Sequence, residues 1–105
     1  MKPVRLEPEA RLELRQAARW YEERGLVARL LEEVDAAIVS IGALPRRFPR
    51  VPGVDPSLEV RRCLLRSFPY ALVFLVTPDE LLVIAIAHVR REPGYWLYRV
   101  EREDE

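Results

Sequence analysis

Tyr70-Ala71-Leu72-Val73-Phe74-Leu75-Val76, then Thr77-Pro78-Asp79-Glu80, then Leu81-Leu82-Val83-Ile84-Ala85-Ile86-Ala87-His88: these residues decide the fold. Two runs rich in Val, Ile, Leu and Phe are separated by four turn-forming residues, which reads as a β-hairpin. Pro78-Asp79 fits the central positions of a type I turn. With Val76 opposite Leu81, Phe74 falls opposite Val83, Leu72 opposite Ala85 and Tyr70 opposite Ala87. The other face then carries Ala71, Val73 and Leu75 against Ile86, Ile84 and Leu82. Both faces are apolar, so each needs a cover. Neither run approaches the roughly 20 apolar residues of a membrane helix.

Outward from the hairpin, Leu58–Arg66 reads as a further strand, closed by the break at Phe68-Pro69. Residues 43–57 hold Pro45, Pro49, Pro52, Gly53 and Pro56 and predict a loop, either a functional one or a stiff connector. Before it lie two helices. The first opens at Pro8 with Glu7 and Glu9 at its positive end, carries Ala10, Leu14, Ala17, Ala18 and Tyr21 on one face, and stops at Gly25. The second runs from about Leu26 to Ile41, with Val27, Leu30, Leu31, Val34, Ile38 and Ile41 as its stripe and Gly42 and Pro45 as its end. The short link between them predicts an antiparallel helical hairpin. Val4–Leu6 is a candidate short first strand. The fold class expected is α+β: an N-terminal helical hairpin packed on a small antiparallel sheet, with residues 1–105 as one domain. A two-helix layer covers one sheet face. The other predicts a partner, unless the C-terminal segment with Tyr95, Trp96, Leu97, Tyr98 and Val100 folds back over it.

The 105 residues carry 17 Lys+Arg and 17 Asp+Glu, a formal net charge of zero, which excludes nucleic-acid binding by bulk charge. The single Cys and single His exclude a disulfide framework and a four-ligand zinc site. No metal or cofactor is expected: glycine-rich phosphate loop, metal-ligand motif, nucleophile elbow and paired-carboxylate signature are all missing from the sequence. No signal peptide is visible, and a cytoplasmic location is expected. Cys63 reads as a small core residue.

The cations are nearly all arginine and are clustered. Arg46, Arg47, Arg50, Arg61, Arg62 and Arg66 face only Asp55 and Glu59 across residues 44–70, and Arg90, Arg91, Arg99 and Arg102 outnumber the acids across 88–102. Arginine's planar fork suits phosphate and carboxylate. On a strand, Arg62 and Arg66 share a face and Arg61 takes the other. Arg90 and Arg91 follow the strand end at His88, which pairs near Pro69. Arg62, Arg66, Arg90, Arg91, His88 and Tyr95 are therefore expected at one sheet edge. Such a set suits metal-free phosphodiester chemistry, with Arg stabilising charge and His or Tyr moving protons. It suits equally a docking patch for a carboxylate-rich partner. His88, Tyr95 and Trp96 also have purely structural readings.

At these residues the chain resembles the RelE/ParE toxin superfamily of type II toxin–antitoxin systems, in particular ParE-like plasmid stabilization proteins. The resemblance is carried by Glu9-Ala10 through Trp20-Tyr21, Gly25-Leu26, Pro45, Phe48-Pro49, Val60-Arg61-Arg62, Phe68-Pro69-Tyr70, Ala87-His88, Arg90-Arg91, Pro93 and Tyr95-Trp96. It implies a toxin neutralised by an antitoxin encoded beside it, whose acidic, partly disordered segment wraps the toxin. It also implies a possible homodimer or a heterotetramer of two toxins and two antitoxins. ParE-like members inhibit DNA gyrase, whereas RelE-like members cleave mRNA in the ribosome with Arg, Lys and Tyr. Arg62, His88, Arg91 and Tyr95 are the catalytic candidates if the chain is a ribonuclease. Arg61, Arg62, Arg66, Arg90, Arg91, Tyr95 and Trp96 are the candidates for contact with target or antitoxin. The missing lysines and the neutral charge favour the gyrase-type reading. A decayed toxin that only binds its antitoxin is the third reading.

Overall fold

A computed structural model describes residues 2–103. In chain order these form β1 (Val4–Leu6), α1 (Pro8–Glu22), α2 (Val27–Ala43), a 3-10 turn at Pro45–Arg47, β2 (Glu59–Leu64), β3 (Tyr70–Val76), β4 (Leu81–His88) and α3 (Leu97–Glu103). The four strands make one sheet in the order β1-β4-β3-β2. β2, β3 and β4 are antiparallel, and β1 joins β4 in parallel, so the sheet is mixed where an antiparallel one is expected. The first strand cannot return by a tight turn, because the whole helical hairpin lies between β1 and the rest of the sheet.

Pro8 takes the first turn of α1, where its missing N–H costs nothing. Gly25 ends the helix pair's link at φ +71°, a left-handed conformation open to glycine without strain. Ala10, Ala37, Ile41, Cys63, Leu72, Phe74, Val83 and Ile86 form the core between the helices and one sheet face. Phe68 and Tyr70 fill the seat beneath the hairpin's free end. Tyr21 meets Phe68 edge-on at 4.8 Å and Tyr70 at 6.3 Å.

The β3–β4 hairpin follows the predicted register for Val76↔Leu81, Leu75↔Leu82 and Phe74↔Val83. Thr77 closes the loop: its N–H (3.0 Å) and hydroxyl (2.8 Å) reach the Glu80 carbonyl, and the Glu80 N–H donates to Thr77 Oγ1 (3.0 Å). Beyond Phe74 the register departs from expectation. A bulge inserts one residue into β4, so Val73 faces Ala85, Leu72 faces Ile86, Ala71 faces Ala87 and Tyr70 faces His88. Ile84 and Ala85 therefore both lie on the second face, and Ile86 moves to the helical face.

That second face is covered by the chain itself. Trp96 and Val100 from the α3 segment, with Val51, Val54 and Leu58 from the proline-rich loop, pack on Val60, Val73, Leu75, Leu82 and Ile84. The open apolar face that predicts a partner is therefore closed. The loop is a connector: Val51 N–H donates to Val60 O (2.8 Å) and Arg62 N–H to Pro49 O (3.1 Å), so residues 49–51 shield the outer edge of β2. β2 ends at Leu64, short of the predicted Arg66, because Leu65 N–H turns back to Tyr70 O (2.9 Å).

Candidate functional site

The bulge leaves β4 with backbone groups that β1 is too short to pair, and a buried ion pair takes its place. Glu13, on the inner face of α1, accepts the Ile86 N–H at Oε1 (3.0 Å). Arg99, on α3, donates from Nη1 to the Ile84 carbonyl (3.1 Å) and to Glu13 Oε1 (3.0 Å), and from Nη2 to Oε2 (3.1 Å). Both side chains are buried, with relative exposures of 9% for Glu13 and 5% for Arg99. Two further donors complete the carboxylate: the Tyr95 hydroxyl at 2.7 Å and Arg91 Nη1 at 3.3 Å, both on Oε2. Five hydrogen bonds from four residues thus lock α1, β4 and α3 together. Burial works against charge on Arg99, but its bonds to Glu13 and Tyr98 prevail and hold it protonated more firmly than usual.

This hub shapes the cleft on the α3 side of the sheet. Gly94 turns the chain at φ +79°, and Leu97 N–H reaches the Gly94 carbonyl (2.9 Å), so Tyr95 and Trp96 fold back over β4. A cleft of about 150 Å³ remains, lined by Arg62, His88, Arg91, Tyr95 and Trp96 among others. Five predicted residues are therefore brought together. Arg62 is exposed on β2. The Arg91 guanidinium lies 3.7 Å over the Tyr95 ring and stays half-exposed. His88 Nδ1 accepts the Arg90 N–H (3.1 Å), which anchors the turn after β4.

The remaining candidates go elsewhere. Arg61 points to the helical face and is consumed by structure: Nε donates to Glu59 Oε2 (2.8 Å) and Nη1 to the Phe48 carbonyl (2.6 Å). Arg66 lies past the strand end, in a separate groove of about 490 Å³ between α2 and β2 with Arg29 and Arg47. It does not share a strand face with Arg62. Arg90 is exposed on the turn and lines neither cleft beside His88. Trp96 is 5% exposed and belongs to the second core, so it serves packing. Cys63 is buried, its thiol pushed up by burial. Among the described residues no cluster of His, Cys, Asp and Glu suits a metal, and no helix is long and apolar enough to cross a membrane.

Glu13 is absent from the residues the sequence singles out, although its position carried a signal. It falls among Ala10, Leu14 and Ala17, a lone charge on the buried face of an amphipathic helix, where an ion needs a partner. The hub also sets what the cleft can do. Burial, then the bond to Glu13, drives the Tyr95 phenol far above its ordinary value, so its proton stays in place. What the cleft offers outward is fixed positive charge, from Arg62 and Arg91.

A family model described as the ParE toxin of the type II toxin–antitoxin system parDE matches residues 4–93. The match covers Glu13 and Arg91 and ends before Tyr95 and Arg99. Among solved structures the chain is similar to one titled "Chromosomal ParDE TA system from P. aeruginosa", with a TM-score of 0.70 and 16% identity, over 86% of this chain and 98% of that one. At that identity the likeness is one of fold. No curated protein matches the chain.

Proposed function

The chain belongs to the ParE toxin family of type II toxin–antitoxin systems, and from that premise we propose that it is a toxin that works by binding, with DNA gyrase as target. In this reading an antitoxin from a neighbouring gene neutralises it, and it acts in the cytoplasm. The observation that carries the reading is the state of the cleft's proton-transfer candidates. Tyr95 keeps its proton on a buried carboxylate, and His88 Nδ1 accepts the Arg90 N–H, so an uncharged ring carries its hydrogen on Nε2 and has no lone pair left to act as a base. Arg62 and Arg91 remain, a pair suited to holding an anionic surface and unable to move protons. The test is plasmid supercoiling by purified gyrase. Inhibition that a stoichiometric antitoxin abolishes supports the reading, and unchanged supercoiling at large excess defeats it.

The convergence of Arg62, His88, Arg91 and Tyr95 on one cleft favours a second reading, ribosome-dependent cleavage of mRNA without a metal. There the arginines stabilise charge on the phosphate, and His88, from Nε2, is the proton donor the cleft offers. Intact mRNA in a translating extract excludes it. If neither target responds while antitoxin binding persists, the protein is a decayed toxin that serves as a binding module.

A further inference from the structure

On the other side of His88 lies a second cleft, of about 390 Å³, between α1 and the ends of β3 and β4. Its walls are Gln16, Trp20, Tyr21, Tyr70 and His88, and Arg91 stands at its lip. Trp20 is 54% exposed, with one ring face covered by the Arg24 guanidinium at 3.4 Å. The Tyr70 and His88 rings meet edge-on at 5.2 Å, which fixes the opposite wall. At the floor Glu13 is saturated by its five bonds, so it offers no site to a cation.

The cleft is aromatic but not greasy. Among the described residues, the Tyr21 and Tyr70 hydroxyls, His88 Nε2, the Trp20 indole N–H and the Gln16 amide take part in no hydrogen bond within the protein. Among the described residues the one buried side-chain polar atom without a hydrogen bond is Glu7 Oε1, in another part of the molecule, so the free Tyr21, Tyr70 and His88 atoms keep access to solvent, and Gln16 and Trp20 are exposed. A hydrocarbon ring placed here would strip water from them and return nothing. A flat ring with a hydrogen-bonding edge satisfies them, and the half-exposed guanidinium of Arg91 suits an anion attached to that ring.

We propose that this cleft binds a nucleotide, with the base against Trp20 and Tyr70 and the phosphate on Arg91. The site opens on the α1 side of His88 and shares only His88 and Arg91 with the α3-side cleft, and it goes beyond the toxin reading. Gyrase inhibition and nucleotide binding are measured separately, so either fails without the other.

The test uses the built-in reporter. Trp20 is exposed at the cleft and Trp96 is buried in the second core. The purified chain is titrated with AMP and CMP while tryptophan fluorescence is followed, with ribose 5-phosphate and a Phe-containing acidic peptide as comparison ligands. Saturable quenching by the nucleotides is expected, lost in Trp20→Phe, where only Trp96 emits. Arg91→Gln weakens binding about tenfold or more, as for a charge-assisted contact, and Gln16→Ala weakens it with Arg91 intact. Circular dichroism establishes that each variant is folded. Linear, non-saturating quenching overturns the proposal. So does equal binding of ribose 5-phosphate, which removes the role of the base. So does saturation by the peptide alone, which assigns the cleft to a protein partner.

Discussion

Replacing Glu13 with alanine removes the acceptor of five hydrogen bonds and leaves the guanidinium of Arg99 buried beside the Ile84 carbonyl with no counter-charge. Breaking a buried ion pair from one side costs about 3–5 kcal/mol, and the stranded Ile86 N–H adds about 1 kcal/mol or more. Small domains have only about 5–15 kcal/mol in total. A loss of about 4 kcal/mol lowers the thermal midpoint by about 16–30 °C for a domain of this size. The assay is thermal and urea unfolding of Glu13→Ala, Arg99→Ala and the double variant, followed by circular dichroism. The double variant is expected to lose about 2–3 kcal/mol less than the two single losses together, because it removes both charges. Glu13→Gln, which keeps an acceptor for Ile86 and Tyr95 but not the charge, falls between wild type and Glu13→Ala. A Glu13→Ala loss below about 1 kcal/mol, or strictly additive losses, refutes the reasoning that this pair replaces the missing length of β1.

Arg62→Ala and Arg91→Ala should each reduce toxicity while changing stability by less than about 1 kcal/mol, since Arg62 is exposed and Arg91 half-exposed; growth curves and melts on the same variants decide it. Ile84→Asp places a carboxylate where exposure is 0%, beneath α3, and should abolish the folded state, seen as loss of cooperative melting. Acid should destabilise the protein. Glu9 is held down to about 2 by Arg102, and Glu33 is lowered by the Ser67 N–H. Burial raises Glu59, but Arg46 and Arg61 bring it below the usual carboxylate range. Each of these contributions is full above about pH 4.5 and fades as the pH falls through the depressed value. Glu7 runs the other way: burial, then Glu103, raises it, so Glu7→Gln should hold or increase the melting temperature at pH 7.

Much of the molecule was legible because its periodicities are strong. The apolar stripes of α1 and α2, the breaks at Gly25 and Phe68-Pro69 and the Thr77–Glu80 turn mark boundaries that the structure keeps. The bulge was not legible. Bulges are often marked by glycine, and here the chain reads Val83-Ile84-Ala85-Ile86 without one, so strict alternation put Ile86 on the wrong face. The alternation of Arg61 and Arg62 was right, and it separated a structural cation from a presented one. Arg66 was misplaced because the chain turns at Leu65, which a run of strand-forming residues conceals. The cover over the second face was visible as apolar residues at 95–100, but the seven-residue helix that delivers them is too short to show a clear period. Glu13 shows where a site hides from motif reading. Its meaning comes from Arg91, Tyr95 and Arg99, about 80 residues away in sequence, and only the fold brings them within 3.3 Å.

The most direct test of the central claim is growth after induction of this gene, alone and together with its neighbouring gene. A toxin held by its antitoxin predicts arrest on induction alone and normal growth when both are expressed. Unimpaired growth of cells that accumulate the folded protein alone contradicts it.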